Sequence, residues 1–343
     1  LEILKVEELA SMSERHLVEI MRIFKSSPDR ELSGEELASR FGITRTGLWK
    51  KIKKLEELGY VFDKKPKYGY RLFLAPDLLH PVEILSDLKT SWFGKHYVYY
   101  EEIDSTNTEA MRLAVKESPE GTVVVAESQT AGRGRLGRKW LSPPKKGLYF
   151  SFVLRPPIGP REAPQLTLLT ALALVDTLRE LYQIPVMIKW PNDLVVEGKK
   201  IAGILAEAHM EPQKLRFVII GVGINVFHDQ NDFIGEFRYP PTSLLIELHD
   251  RNITLRRQDI LVNFGNIFEE LYENFLTSGW QPWIEKLRET SILLGKFVTV
   301  NTGREKISGI AADFSPTGGL ILQLPSGGFQ EIWIGDVEQV TWK

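Results

Sequence analysis

Apolar positions along the chain fall into three regimes. Up to Leu74 they recur at helical spacing between dense charges, with Leu48, Ile52 and Leu55 at i, i+4 and i+7. From there to Leu294, β-branched runs alternate with longer amphipathic stretches. The runs at 122–127, 148–154, 186–189, 201–207 and 217–222 predict strands, and those at 105–117, Ala163–Tyr182 and 258–276 predict helices. From Gly295 to Lys343, short alternating runs at 297–300 and 319–324 are separated by Gly318-Gly319 and Gly327-Gly328, which predicts a small β-barrel. Ala75-Pro76 and His80-Pro81 mark a connecting loop after the first regime. The expected units are 1–74, 75–294 and 295–343, in an α+β chain without internal repeats.

The first unit carries local signals that specify its shape. Ser33-Gly34-Glu35-Glu36 is a capping-box pattern, with Ser33 as N-cap and Glu36 at the third helical position. Gly42 supplies a turn, Thr44 caps a second helix, and Gly59 ends it. Helix, tight turn and helix make a helix-turn-helix, and Pro66 with Gly69 would turn a small hairpin after it, giving a winged form. The second helix bears Arg45, Lys50, Lys51, Lys53 and Lys54, and the hairpin bears Lys64, Lys65, Lys67 and Arg71. Cations so placed neutralise phosphates, and residues at the helix N-terminus reach base edges. Arg45, Thr46, Lys50, Lys53 and Lys65 are therefore the DNA-binding candidates. A solvated lysine-rich helix in a structural or dimerising domain is the plainer alternative, set aside because capped turn, basic helix and basic wing occur together. Trp49 is expected to pack in the core or against the wing rather than on a base.

Composition narrows the chemistry. The 343 residues are 43% apolar and 26% charged, as in globular proteins with large cores, and the net charge of −2 says nothing by itself about nucleic acid. The absence of cysteine excludes disulfides, thiolate zinc sites and cysteine nucleophiles, and suits a reducing cytoplasm. Leu1-Glu2-Ile3-Leu4-Lys5 lacks the pattern of a secretory signal, and Ala163–Tyr182 carries Asp176, Arg179 and Glu180, so no membrane association and a cytoplasmic location are expected.

The central unit holds four clusters. Gln129-Thr130-Ala131-Gly132-Arg133-Gly134-Arg135-Leu136-Gly137-Arg138-Lys139-Trp140 follows a strand run. Its glycines let a backbone approach a ligand closely, and its arginines are planar donors for carboxylate and phosphate. It is neither a Walker loop nor a dinucleotide fingerprint, and alone it reads equally as an exposed basic turn or an RNA-binding segment. Ser105-Thr106-Asn107 lies upstream. Lys189-Trp190-Pro191-Asn192-Asp193-Leu194, Lys199-Lys200-Ile201-Ala202-Gly203-Ile204 and Gly221-Val222-Gly223-Ile224-Asn225 follow. In this order and spacing the clusters resemble the catalytic domain of biotin–protein ligases. With the winged helix in front and the small barrel behind, nearly the whole chain resembles the bifunctional ligases that also repress biotin genes.

The resemblance implies a mixed-sheet α/β ligase domain of the class II synthetase-like type, followed by an SH3-like barrel. It implies a ligase that joins biotin to AMP from ATP with magnesium (Mg2+), then passes the biotinoyl group to a lysine of a biotin carboxyl carrier protein, the biotin domain of acetyl-CoA carboxylase or pyruvate carboxylase. It also implies a ligand-bound homodimer on operator DNA. By the family pattern Ser105, Thr106, Asn107, Gln129, Gly132, Arg133, Gly134, Arg135, Lys200 and Gly203 would hold biotin, and Arg135, Arg138, Trp140, Lys189, Asn192 and Asn225 the nucleotide. Arg135, Lys200 and Asp193 are the catalytic candidates, Asp193 either receiving the incoming lysine or fixing Lys189 or Arg135. No metal ligands are identifiable. The glycine-arginine loop is expected to act as a flexible cover over the adenylate, with Leu136 beneath it or against a partner copy. A lipoate–protein ligase, a regulator without catalysis, and a ligase whose winged helix regulates nothing are the competing readings.

Overall fold

The computed structural model describes residues 12–65, 69–211, 214–235 and 237–341. The chain's first residues, Leu1 to Lys5, and the hairpin residues Pro66 and Lys67 lie outside them. The N-terminal unit is α1 (Met12–Lys25), α2 (Gly34–Arg40) and α3 (Arg45–Glu57), then the antiparallel hairpin β1 (Val61–Lys65) and β2 (Gly69–Leu74). Ser33 accepts the Glu36 backbone N–H at 3.5 Å, which is one half of the expected capping box, and Thr44 accepts that of Gly47 at 3.0 Å. Gly42, with φ +61°, makes the turn between α2 and α3. Leu17, Ile20, Met21 and Phe24 of α1 join Leu48, Ile52, Leu55, Tyr60 and Phe62 in a core separate from the main one, which Val82 from the start of the central unit also enters. Because the buried stripe of α3 runs through Leu48, Ile52 and Leu55, Trp49 falls on its flank and is 47% exposed, so of the two expected placements the core one does not hold.

The central unit opens with α4 (Pro81–Asp87), β3 (Tyr97–Ile103), α5 (Thr106–Val115), β4 (Val123–Gln129) and β5 (Gly147–Leu154). It continues through α6 (Ala163–Tyr182), β6 (Met187–Lys189), β7 (Asp193–Val196), β8 (Lys199–Glu211), β9 (Lys214–Asn225), α7 (Leu244–Glu247), α8 (Arg257–Ser278) and α9 (Ile284–Thr290). The sheet runs β3-β4-β5-β9-β8-β7-β6, parallel only between β3 and β4. Helix α6, buried almost all round, and α8 cover one face. No helix of the described residues is long and apolar enough to cross a membrane. Strands β8 and β9 run past their apolar stretches because each supplies the other's ladder hydrogen bonds into the polar end of the hairpin. Short β7 gave no sequence signal of its own; pairing on both sides makes it a strand.

The third unit is a five-stranded antiparallel sheet, the small β unit expected from the alternation and consistent with the SH3-like form that the resemblance implies. Its strands are β10 (Phe297–Asn301), β11 (Lys306–Phe314), β12 (Leu320–Gln323), β13 (Phe329–Ile332) and β14 (Asp336–Val340), in the order β13-β12-β11-β10-β14. Its Val298, Val300, Phe314, Leu320 and Val337 share one apolar core with the central sheet and helices.

Two polar clusters fasten the connection between the first two units. Glu83 of α4, 2% exposed, accepts from Tyr60 Oη and, at 2.7 Å, from Lys25 Nζ. Arg257, also 2% exposed, donates from Nε to Asp77 at 2.7 Å and from Nη1 to Glu127 of β4 at 2.6 Å, so the connecting loop is pinned to the sheet. Replacing Arg257 with Met leaves buried Glu127 without its cation. The expected outcome is a loss of about 3–5 kcal/mol in urea unfolding; a loss below about 1 kcal/mol would show that the cluster does not hold the units together.

Candidate active site and nucleic-acid interface

Three glycines of β8 and β9 make the floor of the site by leaving side chains out. Gly203 and Gly223 face each other in register, and the Trp140 indole lies across them. A Cβ on Gly223 would come within 2.4 Å of that ring, and one on Gly203 within 2.9 Å. A Cβ on Gly221 would meet Asn107 Oδ1 at 1.8 Å. At real van der Waals distances none of these fits, so the Gly-Val-Gly pattern admits Asn107 and Trp140 to the sheet surface.

Around this floor a connected set of amides and hydroxyls is held at fixed positions. The Thr106 backbone N–H donates to Gln129 Oε1 at 2.9 Å, and Gln129 Nε2 donates to Ser142 Oγ at 2.9 Å. Ser151 Oγ donates to Asn107 Oδ1 at 2.6 Å, and Asn107 Nδ2 donates to Glu207 at 2.8 Å. Arg133 meets the same Glu207 oxygen at 2.9 Å, which ties the buried start of α5 to the glycine-arginine loop.

The loop between β4 and β5 is a narrow hairpin, with Gly134 N–H on Arg138 O at 2.7 Å and Trp140 N–H on Gly132 O at 2.9 Å. Leu136 sits at its tip with φ +57° and 74% exposure, so it packs under nothing in this chain. The loop arginines have different partners. Arg138 pairs with Asp336 of β14, which also accepts from Arg238 at 2.5 Å. Burial works against the Asp336 carboxylate, but Arg138 and Arg238 outweigh it and hold its pKa below the ordinary value. Arg135 donates only to neutral oxygens, Asn192 Oδ1 and Gly335 O, each at 3.1 Å. Burial lowers its pKa, so Arg135 is the loop arginine still lacking an anion. Lys200 pairs with Asp193 at 2.7 Å.

These groups enclose a cavity of about 430 Å³. Ser105, Thr106, Asn107 and Gln129 line one wall, the loop contributes Arg133, Gly134, Arg135, Arg138 and Trp140, and the sheet side contributes Asn192, Asp193, Lys200, Gly203 and Asn225. Two expected residues lie outside it. Gly132 is enclosed within the loop, where a Cβ would come 2.6 Å from Trp140 O. Lys189 is buried behind the wall, its Nζ 3.0 Å from the centre of the Tyr239 ring.

Phe233, Phe237, Arg238, Tyr239 and Pro241 also line the cavity and were missed in the sequence. Their stretch has no period to flag it; its only signal is aromatic density around Gly235. Backbone bonds from Lys200 N–H to Pro240 O and from Thr242 N–H to Lys200 O, both 2.8 Å, hold it against β8. Asp336 gave no signal either, lying 198 residues from Arg138. A second groove, of about 300 Å³, shares Arg135, Asn192 and Ile204 with the first cavity and runs between β8 and the C-terminal unit. Among the described residues no group of three or more acidic or histidine side chains is arranged to hold a metal.

On the N-terminal unit Thr46, Lys50 and Lys53 lie exposed along α3. Arg45 pairs with Glu35 and Lys65 with Glu31, both on the surface. Exposed pairs of this kind contribute little, so a phosphate can replace the carboxylate.

The chain thus combines a winged helix-turn-helix with a mixed sheet that holds a glycine-floored, cation-lined cavity. Family models match in three places: the biotin/lipoate A/B protein ligase family at residues 99–225, a helix-turn-helix domain at 17–71, and the biotin protein ligase C-terminal domain at 293–340. The chain is 36% identical over 321 residues to the bifunctional ligase/repressor BirA of Bacillus subtilis, covering 93% of this chain and 97% of that one. It is 30% identical to BirA of Escherichia coli, over 88% of this chain and 91% of that one. Among solved structures, the biotin protein ligase of Aquifex aeolicus in complex with biotin and ATP superposes with a TM-score of 0.60 at 31% identity, over 73% of this chain and all of that one. The chain belongs to the biotin–protein ligase family, in its three-part ligase/repressor form.

The placement of Lys189 has a consequence for stability. Burial is the main cause that pushes its pKa down to about 7, with the Asp193 carboxylate acting the other way. Between there and the ordinary lysine range the unfolded chain holds one more proton than the native one. Native stability therefore rises with pH through that window, by about 1.4 kcal/mol per unit, and is flat below it. Urea unfolding at about pH 7.5 and about pH 9 is expected to show wild type gaining about 2 kcal/mol more than Lys189→Met. Equal gains would mean that the native amine stays charged.

Proposed function

We propose that this chain forms biotinoyl-5'-AMP from biotin and ATP, transfers the biotinoyl group to a lysine of a biotin carboxyl carrier protein, and, with the adenylate bound, pairs into a homodimer that represses biotin genes at operator DNA. The observation that carries the first step is Arg135, a half-buried guanidinium on neutral acceptors, facing the same cavity as the Thr106–Gln129 wall. Residues 1–74, 75–294 and 295–343 are assigned as DNA-binding, catalytic and barrel units. The carrier is the biotin domain of acetyl-CoA carboxylase or pyruvate carboxylase, and the setting is the cytoplasm.

Biotin is a carboxylate that must attack a phosphate, so two anions have to be brought together. The amide and hydroxyl wall from Ser105 to Gln129, with Arg133, Gly134 and Gly203, takes the ureido ring and chain of biotin. Arg135, Arg138 and Lys200 neutralise the carboxylate and the α-phosphate as they meet, and stabilise the charge that moves onto the departing pyrophosphate. Trp140, Asn192, Asn225 and the aromatic segment around Phe233 and Tyr239 hold the nucleoside. Lys189 acts by supporting Tyr239 from behind, and Gly132 by shaping the loop. The site's carboxylates Asp193, Asp336 and Glu207 are each paired with a cation, so magnesium enters on the triphosphate of ATP rather than on a protein site. In the second step the lysine amine attacks the carbonyl carbon, AMP leaves with the bonding electrons, and the amine loses a proton. Asp193, the only carboxylate among the described lining residues, orients that amine or takes the proton.

Biotin-dependent exchange of label between pyrophosphate and ATP tests the first step. Arg135→Ala is expected to lower it on the order of 10²–10³-fold. Normal exchange would remove Arg135 from the catalytic set, and exchange supported by lipoate but not biotin would move the chain to the lipoate branch. Regulation is tested separately: sedimentation with biotin and ATP is expected to show a higher dimer fraction than without them, because loop ordering by the adenylate lowers the entropic cost of the interface. A dimer fraction unaffected by ligand would sink the repressor mechanism.

A further inference from the structure

The DNA-facing helix α3 carries one large apolar group on its outer surface, and its surroundings say what it faces. Trp49 stands five positions into a 13-residue helix, in the N-terminal half that meets base edges when such a helix enters the major groove. Its indole is 47% exposed, with Lys53 Nζ 5.5 Å from the ring centre. Glu56 lies two turns on along the same flank and pairs with Lys64 of β1 at 2.8 Å, so this flank of α3 faces the wing. Thr46 and Lys50 border Trp49 on the other side and are exposed, and Lys50 has no ion pair among the described residues. The indole is therefore flanked by groups that meet phosphates, on a helix face that meets bases.

Four cations of α3 and the hairpin are already neutralised by carboxylates: Arg45 by Glu35, Lys64 by Glu56, Lys65 by Glu31 and Arg71 by Asp63. Lysines on phosphates add affinity without regard to sequence, so recognition has to come from other groups. An indole 47% exposed on the flank of α3 lies outside the core of this unit, which Leu48, Ile52 and Leu55 fill from the buried stripe beside it. The apolar group that the major groove displays is the C5-methyl of thymine.

We propose that Trp49 is a specificity-determining residue that packs its indole on a thymine C5-methyl group in the major groove, with Lys50 and Lys53 on the neighbouring phosphates. This deepens the operator-binding reading and rests on it. The contact removes indole and methyl surface from water together, and it discriminates because the other bases place no methyl at that position.

Binding sites are selected from a random duplex library with the full chain, biotin and ATP, and affinities are then measured by fluorescence anisotropy on the selected duplex. That duplex is also remade with deoxyuridine in place of thymidine, one position at a time, which deletes the methyl alone. Trp49→Ala is expected to bind the selected duplex about tenfold more weakly, and uracil at one position in each half-site is expected to weaken wild type about tenfold. The two losses should not add, since either change removes the same contact. Lys50→Ala should weaken all duplexes alike and reduce the salt dependence. Biotin transfer by Trp49→Ala should stay at the wild-type rate, which shows the variant folded. Undiminished binding by Trp49→Ala, or methyl deletions that weaken it as much as wild type, would overturn the assignment while leaving operator binding intact. Failure of wild type to enrich any sequence would overturn the operator reading itself.

Discussion

Six cations among the described residues, Arg133, Arg135, Arg138, Lys139, Lys200 and Arg238, converge on one cavity, and their mutual repulsion is the constraint around which the rest of the site is arranged. The protein offsets it with carboxylates from separate elements: Glu207 and Asp193 on the sheet, and Asp336 on the C-terminal strand β14. Asp336 has the widest reach, since Arg138 and Arg238 come from segments on different sides of the cavity. Arg135 alone among the loop arginines is left to an amide and a carbonyl oxygen. A half-buried cation without an anion raises the free energy of the empty site.

The same arrangement explains why the C-terminal unit cannot be an independent appendage. Its Gly335 O, Asp336 and Val337 O receive Arg135, Arg138, Arg238, Tyr239 and Lys189 within three consecutive residues. Apolar residues of β10 to β14 also share the core that α6 and the central sheet build. Charge at the site and burial beneath it thus reinforce one another, and the loop is held from both units.

At the other end the coupling is polar and local. Glu83 joins α4 to Tyr60 and Lys25, and Arg257 joins the connecting loop to Glu127, two residues before Gln129 on β4. The cavity wall that ends at Gln129 is therefore close to the base of the N-terminal unit.

Much was legible in the chain itself. Capped turns at Ser33 and Thr44, the period of α3, the long, largely apolar α6 and the glycine-separated alternation after Gly295 are local signals, and each produced its element because short-range hydrogen bonding and burial suffice to specify it. The core placement of Trp49 did not hold because the phase of one helix sets which flank is buried only once its partners are known. Tyr239, Glu207 and Asp336 were invisible because their importance lies in partners far away in sequence. The sequence by itself determined the elements, the glycines and the residue types that can handle two anions. Only the tertiary structure decided which carboxylate neutralises which arginine, that Lys189 stands behind the wall, and that Arg135 remains unpaired, because electrostatic partnership depends on distance and burial in space, and neither is written in the order of residues.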